Sequence, residues 1–272
     1  MRIAVVTPYY KEDDAVLRQC HGSVLAQTVP CTHVLVADGF PKPVVDEWDV
    51  RHMVLPDGHR DGGNIPRVLG GVSALNHGFD AVAFLDADNW YQPDHLERMI
   101  DLHHATGAAV CTASRSMHRF DGTFMFDDDK NDGRTHVDTS CYFLTRAAGA
   151  VLARWGLIPR GLADIVDTIY WQTILGARLD HAHQVTPTVC YRTPYEADYL
   201  RMGEVMPPGG KALSVTDRPF AWFHGLPPQQ RMQIRRDIGW PVRRRSVAKL
   251  RLACLAAMMR PGRAPALPRR DA

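Results

Sequence analysis

Apolar runs four to six residues long alternate with amphipathic stretches through the first hundred positions. Residues 3–7 (IAVVT) are apolar and β-branched, and Pro8 with two tyrosines ends them. Residues 32–37 (THVLVA) repeat the pattern and stop at Asp38-Gly39, and residues 50–55 form a weaker third run. Near-continuous apolar runs of this length read as strands buried on both faces. Between them, residues 11–27 set Ala15, Leu17, Val24 and Leu25 at helical spacing, with Asp13 and Asp14 at the start, where carboxylates favour a helix. Residues 66–79 predict a second helix with Pro66 near its first turn, after a polar, glycine-rich loop at 57–64. Strand, helix and strand joined by short connections predict a parallel sheet with crossover helices.

The next run, AVAFLDADNW at 81–90, ends abruptly in Asp86-Ala87-Asp88. Two aspartates one residue apart in an extended segment project from opposite sides of the backbone. Hard carboxylate oxygens suit Mg²⁺ or Mn²⁺, although a polar turn after a buried strand looks the same. The motif alone leaves both readings open. Its company favours a site. In open sheets of this kind ligands bind outside the carboxyl ends of the strands, and that rim collects Thr7-Pro8-Tyr9, Asp38-Gly39 and Asp86-Ala87-Asp88 from three separate strands.

Further on, the pattern predicts a helix at 93–105, a strand at 108–113, a polar loop at 119–134, a strand at 139–145, a short helix at 147–155, a helix at 162–175 and a strand at 184–192. The loop carries Asp127, Asp128 and Asp129, whose mutual repulsion favours a solvated face over a second metal site. Residues 1–205 read as one compact domain. Pro207-Pro208-Gly209-Gly210 opens an appendage, 206–272, with a basic helix at 246–259 and a disordered end.

Composition is that of a soluble globular chain of 272 residues, 45% hydrophobic and 23% charged. The net charge of +2 conceals an asymmetry. From Arg231 onward there are 12 basic and 2 acidic side chains, a net +10, against 20 and 28, a net −8, before it. Such a tail suits an anionic surface. A basic amphipathic helix on anionic lipid is one reading, and packing on the domain is the other. Nucleic acid is not an expected partner, because no recognition fold accompanies the charge. The six cysteines form no CxxC pair and read as reduced, buried thiols. Neither a signal peptide nor a membrane span is expected, so the expected location is cytoplasmic, with the tail at the inner face of the membrane on the first reading.

The ordered series Thr7-Pro8-Tyr9-Tyr10, residues 23–28 (SVLAQT), residues 34–39 (VLVADG), Asn64-Ile65-Pro66-Arg67 and Leu85-Asp86-Ala87-Asp88 resembles the family 2 glycosyltransferases of GT-A fold. The resemblance is good over residues 1–105 and looser over 135–195. It implies a Rossmann-like, mostly parallel α/β sheet flanked by helices and a nucleoside-diphosphate sugar as donor, in many members a UDP-sugar. Pro8 and Tyr9, with Thr7 beside them, would lie under the base, and Asp38 would bind it. Arg67 would lie near base or phosphates, Asp86 would approach the ribose and share the metal region, and Asp88 would hold Mn²⁺ or Mg²⁺ on the diphosphate. For an inverting member the resemblance also implies a carboxylate base on the acceptor side. Here the usual acidic pair is replaced by Asp164 and Asp167, expected to share one helix face, with Asp167 the better match. Trp90 and Tyr91 read either as a sugar platform or as packing. His181, His183 and His224 are candidates to complete the metal shell; otherwise phosphate and water do so. The acceptor would be a saccharide, a lipid-linked sugar or a small molecule. The alternative is a nucleotide-sugar-binding module of the same fold without chemistry. Nucleotidyl transfer fits less well, since TPYYKEDD after the first strand is acidic.

Overall fold

The computed structural model describes residues 1–211 and 217–240. The helix expected at 246–259, the disordered end and Cys254 lie outside the described residues. Strand β1 (Ile3–Tyr9) is buried along its whole length. It pairs in parallel with β2 (Thr32–Asp38), Tyr9 facing Ala37, and with β4 (Ala81–Phe84), Val6 facing Phe84. Strand β3 (Arg51–Leu55) lies parallel beside β2, at the edge. The apolar runs thus form four parallel strands, and the register brings their carboxyl ends to one rim, as expected. Helices α1 (Asp14–Leu25) and α2 (Asn64–Asn76) are the crossovers, and α1 buries Leu17, Cys20, His21 and Val24.

Beyond β4 the sheet continues in mixed sense, in the order β3-β2-β1-β4-β8-β6-β9-β5. Two-residue β5 (Trp90–Tyr91) leads to α3 (His95–Thr106), then come β6 (Val110–His118), β7 (Phe124–Asp127), β8 (Tyr142–Thr145), α4 (Gly149–Trp155), α5 (Val166–Gly176) and β9 (His181–Arg192). Strand β8 is antiparallel to β4 and β6, whereas β6 and β9 run parallel.

Three expectations need correction. Strand β6 runs five residues past the apolar run at 108–113, through Ser114, Arg115, Ser116 and His118, all buried. A strand can hold such residues inside when their polar groups are satisfied, which apolar patterning cannot anticipate. The loop expected at 119–134 contains β7, hairpinned onto β6, and Asp128 is buried rather than solvated. Arg115 Nε lies 2.8 Å from Asp128 and Arg115 Nη1 2.5 Å from Asp138, a charge triad closed inside the protein. The helix expected from 162 divides into a 3₁₀ turn, Arg160–Ile165, and α5.

The boundary near 206 is not a boundary of packing. After α6 (Glu196–Arg201), helices α7 (Asp217–Gly225) and α8 (Pro228–Ile238) bring Phe220, Phe223, Ile238 and Trp240 into the principal core. Trp222 lies against the 3₁₀ turn so closely that a β-carbon on Gly161 would fall 2.2 Å from its ring. Trp155 and Trp171 are core residues, and the Trp155 ring stacks on Tyr170 with centroids 4.1 Å apart. The five described cysteines are free thiols, as expected. No described helix is long and apolar enough to cross a membrane.

Candidate active site

A cleft of about 470 Å³ opens on the rim where β1, β2 and β4 end. Pro8 and Tyr9 border it from β1, Asp38 from β2, Asp86 and Asp88 from the segment after β4, and Arg67 from α2. Six of the residues singled out in the sequence therefore meet at one place.

The loop between β3 and α2 builds one wall. Asp61 accepts the N–H groups of Asn64 (3.0 Å) and Ile65 (2.9 Å) and so opens α2. Gly63, at φ +79°, turns the chain where a β-carbon would press Pro8 Cγ at 3.0 Å and Arg67 Nη1 at 3.3 Å. That turn lets the buried Arg67 donate to the Gly62 carbonyl (2.8 Å) and pair with Asp86. The other Asp86 oxygen accepts from Thr139 Oγ1 at 2.8 Å, and the Asp86 N–H donates to Ser140 Oγ at 3.1 Å. Ser140 is positioned in turn by Asp138, which accepts its N–H at 2.9 Å. Asp38 is equally committed, accepting the His59 N–H at 3.0 Å and meeting His59 Nδ1 at 2.6 Å. Among the described residues no other residue donates to the carboxylate of Asp88. Protein crowding strips its hydration, and with Asp86 and Glu12 nearby its carboxyl is raised above the usual carboxylate range. It stays open to the cleft, so it is an accessible oxygen ligand.

Each Asp86 oxygen already has a partner, Arg67 on one and Thr139 on the other, which leaves Asp88 the less encumbered ligand. Thr7 is buried under the sheet, its hydroxyl 2.9 Å from His33 Nε2, and does not border the cleft. Tyr9 borders the cleft but is buried, its ring stacking on His52 and its hydroxyl 2.7 Å from His52 Nε2. Tyr91 belongs to the core, donating to the Phe84 carbonyl at 2.6 Å and stacking on His95, and is no sugar platform. Trp90 is half-buried with the Arg192 guanidinium over its ring.

The metal-histidine candidates lie elsewhere. His183 bridges Thr112 (2.8 Å) and Ser114 (3.0 Å), His181 meets the edge of Trp171, and His224 sits beside Phe223. No cluster of three His, Cys, Asp or Glu side chains able to hold an ion occurs among the described residues. One open carboxylate bordering the cleft nonetheless fits Mg²⁺ or Mn²⁺, which can take the rest of their shell from a ligand's oxygens and water.

Asp164 and Asp167 do not border this cleft or share a helix face. Asp164 is exposed on the 3₁₀ turn, which nears the rim where Ala163 would stand 3.9 Å from a β-carbon on Gly62. Asp167 lies in the first turn of α5, accepting the Thr168 N–H at 2.6 Å, with His136 Nε2 3.6 Å away. Buried Asp138 feels the charges of both Asp86 and Asp167, which links the two regions through one turn. Pattern reading missed His59, Thr139, Ser140 and His136, because each acts through a partner far away in sequence. It also missed Lys211, which borders the cleft from the supposed appendage.

A parallel half-sheet whose strand ends converge on two anchored carboxylates and one open carboxylate puts the cleft where open α/β sheets bind their ligands. Residues 4–148, more than half the chain, match the family described as Glycosyl transferase family 2. The chain belongs to glycosyltransferase family 2. It is 36% identical over 101 residues to the succinoglycan biosynthesis protein ExoW of Rhizobium meliloti (strain 1021), a match covering 35% of this chain and 32% of that protein. The match thus spans about a third of that relative's length. Among solved structures, S. aureus TarS 1-349 in complex with UDP superposes with a TM-score of 0.55 at 14% identity, over 88% of this chain and 70% of that one. A second S. aureus TarS structure gives 0.54 at 13% identity, over 88% and 43%. These likenesses establish the fold.

Proposed function

We propose that the cleft binds a nucleoside-diphosphate sugar and that the chain transfers the sugar, with a divalent ion and inversion, to a hydroxyl of a saccharide or lipid-linked acceptor. The observation that carries this reading is the division among the rim carboxylates: Asp38 and Asp86 are locked by His59 and Arg67, while Asp88 is left open beside them. Mg²⁺ or Mn²⁺ held by Asp88 would neutralise the charge that develops on a departing diphosphate. Pro8 and Tyr9 border the place of a base at the end of β1, and the fixed Asp38 offers it a hydrogen-bond acceptor. Asp86, held by Arg67, faces the ribose. Asp167 takes the proton of the acceptor hydroxyl, with Asp164 as the second candidate. A single displacement of this kind inverts the anomeric carbon.

The UDP complex of the structural neighbour supports uridine nucleotides as the first donors to try. The relative's part in succinoglycan biosynthesis supports a polysaccharide-type acceptor. The basic tail would hold the protein against an anionic cytoplasmic membrane face, where a lipid-linked acceptor would be found.

The test is a thermal-shift and hydrolysis screen of nucleotide sugars with Mn²⁺, with Mg²⁺ and with EDTA. A true donor at a hundredfold excess over Kd stabilises the fold by about 2.7 kcal/mol. It should also be hydrolysed slowly, water replacing the acceptor, in a metal-dependent way. Failure to bind any nucleotide sugar would overturn the reading. Binding without turnover under any condition would leave a binding module.

A further inference from the structure

We propose that Lys211, from the segment following α6, is a diphosphate-binding residue of the donor cleft; this rests on the donor reading above. Five carboxylates and three cations border the cleft, so its own charge is negative before any ligand enters. A divalent ion offsets that wall but leaves an incoming diphosphate to be balanced. Arg67 is already engaged, its guanidinium paired with Asp86 and donating to the Gly62 carbonyl. The unpaired cations on the wall are Arg60 and Lys211, neither of which pairs with a carboxylate among the described residues.

Lys211 is the better placed of the two. Its main chain is pinned on both sides, its N–H donating to the Pro194 carbonyl at 2.6 Å and its carbonyl accepting the Glu196 N–H at 3.0 Å. This makes a short parallel bridge with Tyr195, just beyond β9. Met206 packs directly over the preceding Gly210, where a β-carbon would lie 2.1 Å from its Sδ. The backbone is thus fixed while the side chain stays exposed, its ammonium 5.7 Å from the centroid of the Tyr195 ring. A fixed base with an unpaired ammonium at its end is what phosphate oxygens need, and lysine binds them as a point charge. Arg60, in contrast, stands on an exposed loop with φ +52°, and no cross-strand bond pins it.

The test compares the wild-type protein with Lys211→Met and Lys211→Arg. Each is titrated with UDP, GDP, CDP, ADP and dTDP in Mn²⁺, and then with the free nucleoside of the tightest diphosphate. Lys211→Met should weaken the diphosphate roughly 10- to 100-fold, the range of one charge-assisted hydrogen bond, and leave the nucleoside unchanged. Lys211→Arg should restore most of the loss, and all three proteins should melt together because the side chain is exposed. If Lys211→Met binds the diphosphate like the wild type, or loses nucleoside and diphosphate equally, Lys211 has no such role and the donor reading stands. If the wild type binds none of the five diphosphates, the donor reading falls and takes this inference with it.

Discussion

The cleft and the region proposed for the acceptor are built differently. On the donor side every carboxylate but Asp88 is held: Asp38 by His59, Asp61 by the first N–H groups of α2, and Asp86 by Arg67 and Thr139. On the acceptor side Asp164 stands exposed on a 3₁₀ turn, and Asp167 has its own helix N–H and a histidine at 3.6 Å. The donor wall hangs on four parallel strands with short crossovers. The proposed acceptor region hangs on a 3₁₀ turn, braced from outside by α7 through Trp222, and on the first turn of α5. Groups on a rigid frame can be arranged in advance for a common ligand, whereas irregular segments can differ between enzymes that share a donor. The family match, which ends at residue 148, before Asp167, divides the chain at the same place.

The largest test of this contrast is Asp167→Asn. As the proton acceptor, Asp167 should account for roughly 10²- to 10⁴-fold in transfer rate, with donor affinity unchanged. Steady-state transfer with donor binding measured separately would separate the two. A variant that still turns over at near wild-type rate would assign the base elsewhere, with Asp164→Asn as the next substitution to measure. Asp88→Asn attacks the cleft instead. It should cut transfer by about 10²- to 10³-fold, the range for one preorganised electrostatic contact, and abolish the effect of Mn²⁺ on donor binding. Since no other residue donates to Asp88, the variant should melt like the wild type. Unchanged Mn²⁺ dependence would remove Asp88 from the metal site.

The same contrast explains what the sequence could disclose. The donor rim was legible because each of its residues ends or follows a buried apolar run, and parallel pairing then fixes where the ends meet. Pro8, Tyr9, Asp38, Asp86 and Asp88 converge on that logic, whereas Arg67, on α2, follows from the family resemblance. Thr7 and Tyr91 misled because a residue's place along a strand does not say which face it takes. Thr7 turns under the sheet to His33, and Tyr91 turns into the core. Asp164 and Asp167 misled for another reason: spacing three apart means a shared face only if one helix carries both, and the chain changes from 3₁₀ to α between them. The polar strand residues around Arg115 were illegible, because their partners Asp128 and Asp138 come from segments that no local pattern connects.

A third measurement asks whether the donor wall's order is also the fold's stability. Arg67→Met leaves Asp86 without its partner in a half-enclosed site. Breaking a buried pair costs about 3–5 kcal/mol, and the partial exposure of Asp86 places this one near the lower figure. Urea unfolding of Arg67→Met, Asp86→Asn and the double variant would read the coupling between them. If the two losses simply add, the pair orders the site without holding the fold together.

An effect that is small near neutrality and grows in acid concerns what the two halves share. Under the donor half, buried His33 sets Nδ1 2.9 Å from His21 Nδ1 and Nε2 2.9 Å from Thr7 Oγ1. Under the other half, buried His95 sets Nδ1 2.8 Å from Thr188 Oγ1. Burial pushes both imidazoles down to about 3, with His21 adding to the effect at His33. A proton on His33 would put a charge where burial strips its hydration. The unfolded chain takes up these protons near pH 6.5 and the folded chain does not. Stability is therefore complete above that pH and declines as pH falls toward 3, by about 1.4 kcal/mol per pH unit for each histidine. Chemical denaturation at pH 7, 6, 5 and 4 should show this slope, and His33→Gln or His95→Gln should each lower it by about one histidine's share. Because the apolar residues of both halves join one principal core, the transition should stay single at every pH. Two separated transitions in acid would mean that the donor and acceptor halves unfold as independent units, and that the difference between the two regions extends down into the core.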